Sequence, residues 1–109
     1  MELWNEILFN TNIMDKAIKE LKERGQAFAK AEHDYKVASA QKILSLRAEG
    51  VPVTIISDLV KGDREVAKLR MDRDISEVLY KSCLEGINVY KIKTRILEGQ
   101  LQREWGKND

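Results

Sequence analysis

The sequence predicts an all-α fold: a long antiparallel helical hairpin, coiled-coil-like in parts, with a short helix in the connecting elbow, assembling into an oligomeric bundle. Three observations predict it. Apolar residues recur at helical spacing through two long stretches, the only proline (Pro52) separates them, and glycines Gly50 and Gly62 flank that break. At 109 residues, with 43% apolar and 34% charged side chains, the chain fits one soluble helical domain and leaves no room for a second core.

The first long helix is expected over about residues 13–49. Met14, Leu21, Phe28 and Tyr35 recur at intervals of seven, with Ile18, Ala31 and Ala38 close to the same face. The opposite face carries Asp15/Lys19, Lys16/Glu20, Lys19/Glu23, Glu20/Arg24 and Glu32/Lys36, each four apart. Such pairs add about 0.2–0.5 kcal/mol apiece to a helix. Ala27, Ala29, Ala31, Ala38 and Ala40 leave room for a close neighbour, and Gly25 marks a kink or a tight crossing. Leu3–Phe9 is apolar on more than one side and reads as a separate short helix that ends near Asn10-Thr11-Asn12 and packs on a neighbouring subunit.

The elbow is expected over 50–63. Gly50 suits a left-handed C-cap, and Pro52 stops the hydrogen-bond ladder. Thr54 reads as the N-cap of a short helix over 55–60, Lys61-Gly62 closes it, and Asp63 caps the next helix. The second long helix is expected over 64–103, about 60 Å at the usual rise. Val66, Leu69, Ile75, Leu79, Cys83, Ile87, Tyr90, Leu97 and Leu101 form its stripe, with Trp105 as an anchor at the end. A two-helix seam encloses no core, so the remaining apolar residues, Val78, Val89, Ile92 and Ile96 with Ile43 and Leu44, point to a homodimer or higher assembly.

Composition excludes several function classes. A net charge of +1 argues against a broadly basic nucleic-acid coat. Cys83, alone, permits no internal disulfide and suits a reducing cytoplasm, here as a small core residue. The N-terminus lacks a signal-peptide pattern, and no window resembles a membrane span. His33 lies between Glu32 and Asp34, which point in different directions on a helix, so no metal site is expected. No glycine-rich phosphate loop is present, and Ser39, Ser45, Ser57, Ser76 and Ser82 have no histidine base at a recognisable spacing. Catalysis and a bound cofactor are therefore not expected.

Binding chemistry gathers around the elbow. Arg47, Lys61, Arg64, Lys68, Arg70 and Arg73 stand there among Asp58, Asp63, Glu65, Asp72 and Asp74. One reading is a salt-bridged surface. The other is a phosphate or carboxylate site in which free amides at two helix starts lie beside guanidinium forks. Its candidate residues are Arg47, Thr54, Lys61, Arg70, Arg73 and Tyr80, the last either stacking on a base or packing on the first helix. A DNA-reading helix-turn-helix is disfavoured by Asp63, Glu65, Asp72 and Asp74 on the would-be recognition helix. A second cluster, Lys91, Lys93, Arg95, Arg103 and Lys107, is either a nucleic-acid-facing surface or a solvated face.

From Tyr35 onward, the segments DYKVASAQKILSLRAEGVPVTIISDLVKGD, LRMDRDISEVLYKS and ILEGQLQREW resemble a group of short helical proteins encoded by phages and prophages of Gram-positive bacteria. The resemblance implies a phage protein acting in the host cytoplasm. Its expected role is non-enzymatic counter-defence or host takeover, by binding an immune protein or sequestering an anionic nucleotide signal. The alternative is a recombination or replication accessory that binds single-stranded DNA or a recombinase.

Overall fold

A computed structural model describes residues 2–106, which form three successive helices: α1 (Glu2–Ala48), α2 (Val53–Gly62) and α3 (Arg64–Gly106). Among the described residues there is no strand, and no helix is long and apolar enough to cross a membrane. The chain divides into two compact units. A terminal unit pairs α1 up to Glu23 with α3 from Lys81, and an elbow unit comprises Arg24–Tyr80.

In the elbow unit α1 and α3 run antiparallel. Gly25 and Phe28 meet Tyr80, Tyr35 meets Arg73, and Lys42 meets Asp63. Arg24, Phe28, Ala31, Tyr35, Ala38 and Lys42 of α1 and Val66, Leu69, Arg73, Ser76 and Tyr80 of α3 are among the buried or half-buried positions here. Their alternating steps of three and four residues are the spacing that keeps one stripe facing a partner helix. Ile75 and Leu79, expected in this seam, are exposed instead, because Arg73, Ser76 and Tyr80 hold the seam positions around them.

The terminal unit is also antiparallel. The Cys83 thiol donates to the Ala17 carbonyl at 3.5 Å, and the half-buried cysteine packs in the seam as expected. Ile7, Asn10, Ile87, Thr94 and Leu97 are its buried residues. The expected break at Asn10-Thr11-Asn12 is absent: α1 is continuous from Glu2, so Leu3–Phe9 is its first part and not a separate helix. Asn10 is buried in the seam, and the Thr11 hydroxyl donates to the Ile7 carbonyl one turn back at 2.9 Å, a bond made within the helix that leaves α1 continuous. Trp105, expected as an anchor, lies 67% exposed in the last turn of α3.

At its other end α1 stops through a Schellman closure. Val51 N–H donates to Leu46 O at 3.1 Å and Gly50 N–H to Arg47 O at 3.0 Å, with Gly50 at φ 82°. Val51 then packs against the buried cluster that contains Leu46, in keeping with the hydrophobic contact that accompanies this motif. Helix α2 starts two residues earlier than expected. Pro52 is its N-cap, with no side-chain hydrogen bond, and Ile55 N–H reaches Pro52 O at 3.1 Å. Thr54 therefore lies inside the helix and is not its cap. Lys61 and Gly62 also belong to α2, and the helix ends on Asp63.

Two of these glycines make opposite predictions. Gly50→Ala forces a side chain into the left-handed region and is expected to destabilise the fold by about 1–2 kcal/mol. Gly62 has right-handed backbone at the end of α2 and open space around it, so Gly62→Ala is expected to stabilise by about 0.4–1 kcal/mol. Urea unfolding followed by circular dichroism measures both signs.

Candidate functional site

The elbow is built on one buried cluster. Leu46 from α1, Ile56 and Val60 from α2, and Val66 from α3 pack together, with Tyr35, Ala38, Ile43 and Val51 around them. Burying each such aliphatic side chain is worth about 1.5–3 kcal/mol, so this cluster fixes α2 against both long helices. Ile43 is thereby drawn inward, whereas Leu44 remains exposed. One edge of α2 is apolar as well: Ile55 and Leu59, one turn apart beside Ile56 and Val60, are exposed, as is Val53 in the first turn.

Asp63 is the whole connection between α2 and α3. Its backbone N–H closes α2 on Val60 O at 3.3 Å, and its carbonyl accepts from Ala67 N–H at 2.8 Å. Its carboxylate caps α3, accepting from Val66 N–H at 3.1 Å, and pairs with Lys42 at 3.5 Å. The cap hydrogen bond from Val66, and then the Lys42 charge working against partial desolvation, hold the Asp63 carboxyl below its ordinary pKa. A notch beside it is lined by Gln41, Lys42, Ser45, Asp63 and Glu65 with Ala38 and Val66, so one cation there faces two carboxylates.

Arg73 has a structural setting. Its guanidinium lies 4.6 Å from the Tyr35 ring centroid and donates to Asp74 Oδ1 through Nε at 3.0 Å and Nη2 at 2.8 Å. The hydrogen bonds to Asp74 raise its pKa, so it is charged at every relevant pH. Tyr80 fills the space left by Gly25: a Cβ at Gly25 would sit 3.3 Å from its ring, and the Phe28 ring centroid is 6.0 Å away at 31°. The close approach expected at Gly25 is this contact.

The remaining elbow candidates are more open. Arg47 is exposed in the last turn of α1, Thr54 on α2, and Lys61 in the last turn of α2. Arg70 is half-buried on α3, beside an apolar strip that includes Met71, Ile75 and Val78. In the terminal unit Lys91, Lys93, Arg95 and Arg103 are all exposed on α3, and Lys107 lies outside the described residues.

Several contacts escaped the sequence reading. Glu32 and Lys36 do pair, at 3.5 Å, but His33 Nδ1 also lies 3.3 Å from Asp34 Oδ1 on the exposed surface, a neighbour expected to point elsewhere. The Lys42–Asp63 pair and the Arg73–Tyr35 contact join residues far apart in sequence. Only the seven-residue repeat, extended through polar positions, carries a signal for them. No family model, curated protein or solved structure matches the chain.

Asp63→Ala is expected to lower the melting temperature at neutral pH, and Asp63→Asn, which keeps a capping oxygen, to lower it less. Because the folded-state pKa is depressed, the carboxylate's contribution is complete above the unfolded value of about 3.9 and disappears as pH falls through the lower folded value. Melting curves of wild type and Asp63→Ala should converge in that acid range. Arg73→Ala is expected to reduce stability by about 1 kcal/mol through loss of the ring contact, measured by urea unfolding.

Proposed function

We propose that this chain acts by binding a protein, without catalysing a reaction, and that the outward edge of α2 is the docking surface. The observation that carries this reading is the division of α2: Ile56 and Val60 are fixed in the cluster, while Val53, Ile55 and Leu59 are exposed on a helix that cannot turn. A held apolar edge needs little ordering on association, which favours binding. Exposed Arg47 and Lys61, in the last turns of α1 and α2, add cations for a partner with an apolar groove and acidic rim.

The resemblance to phage and prophage proteins gives this binding its proposed purpose. The chain would act in the host cytoplasm as a counter-defence or host-takeover inhibitor that occupies an immune protein. Capture of an anionic nucleotide signal is the weaker form, since Arg73 is already engaged by Asp74 and Tyr35, and Tyr80 by Gly25 and Phe28. The second reading is a recombination or replication accessory binding single-stranded DNA or a recombinase. It draws on exposed Lys91, Lys93, Arg95 and Arg103.

The test is phage plating on bacteria carrying an antiphage defence. Expression of the chain is expected to restore plating, and Ile55→Asp with Leu59→Asp to abolish the effect with helicity unchanged. Tight oligonucleotide binding that falls steeply with salt, indifferent to the α2 substitutions, would contradict the reading in favour of the second one.

A further inference from the structure

Six of the apolar residues that α3 leaves exposed are themselves ordered. In the elbow unit, Met71, Ile75 and Val78 lie on α3 in steps of four and three; in the terminal unit, Val89, Ile92 and Ile96 lie on α3 in steps of three and four. All six are exposed, from 51% at Ile75 to 63% at Val78. The positions between the two triplets, Ser82 and Glu85, keep the same alternation of steps, so the eight positions read identically in either direction along α3.

The flanking charges do not repeat in this way. Asp72 and Asp74 border the first triplet, one on each side, and Lys93 and Arg95 border the second. From this we propose that α3 carries a second seam and that a second copy of this chain occupies it, antiparallel. The first triplet of one copy packs on the second triplet of the other, with Met71 opposite Ile96, Ile75 opposite Ile92 and Val78 opposite Val89.

Symmetric spacing lets both contacts form under one two-fold axis, as an isologous interface requires. Antiparallel flanks then set Asp72 opposite Lys93 and Asp74 opposite Arg95, once on each side of the axis. A parallel, in-register pair would bring Asp74 to Leu79 and Arg95 to Gln100, and would join no two of these four charges. The charge pattern therefore selects the antiparallel copy over the parallel one. At the centre, Ser82 faces Glu85, a polar layer that weakens the seam but fixes its register. This inference stands apart from the α2 docking surface and needs no partner but the chain itself.

Cysteine mapping of the full chain, in a Cys83→Ser background, tests it. Val78→Cys mixed with Val89→Cys is expected to give a disulfide-linked dimer on oxidation with copper phenanthroline, while either variant alone gives little. The wild-type chain of 12.6 kDa is expected to sediment as a dimer. Asp72→Lys and Lys93→Asp should each weaken self-association several-fold, and mixing the two should restore it. A monomer in sedimentation, a dimer that the mixed cysteines fail to link, or Val78→Cys linking to itself as readily as the mixture would each overturn the proposal.

Discussion

Two paired helices can each bury one stripe, and the narrowness of that stripe governs the rest of this molecule. Among the described residues no large side chain is fully buried. The seam positions include Arg24, Lys42 and Arg73, long side chains whose stems cover apolar surface while their charged ends find partners at the edge. A seam of this kind specifies register well and contributes modest stability. The elbow cluster adds a third helix and is the one place where three elements enclose apolar side chains together.

That cluster explains why the connection is so economical. A Schellman closure ends α1, one proline starts α2, and Asp63 alone ends α2 and caps α3. Each backbone group freed at a helix end that these bonds engage has a partner nearby, so the turn needs no long loop. Because Ile56 and Val60 anchor α2 from within, its outer residues are presented at fixed positions. A partner of that edge, as proposed, would meet a surface that the cluster already holds in place.

Much of this was legible in the sequence, for definite reasons. Gly50, Pro52 and Asp63 are residues whose backbone or side-chain chemistry allows few alternatives, so the break and both neighbouring caps were found. Seven-residue spacing from Met14 to Tyr35 placed the first seam. What apolarity alone misplaced were Ile75 and Leu79, because the α3 seam passes through Arg73 and Ser76 and leaves those aliphatics on other faces. Asn10 misled in the same way: a polar residue suggested a break where it is in fact buried within a continuous helix. The ligand candidates were least legible, since Arg73 and Tyr80 read as free chemistry until their distant neighbours Tyr35, Gly25 and Phe28 were in place.

Leaving six ordered apolar side chains of α3 in water while each unit relies on a thin two-helix seam is the central tension of the fold, and the proposed self-association would resolve it. The melting temperature of the wild-type chain, followed over a wide range of protein concentration, tests this most directly. If folding and pairing are coupled, the melting temperature rises with concentration, because association stabilises the folded state by mass action. A melting temperature independent of concentration would contradict the account.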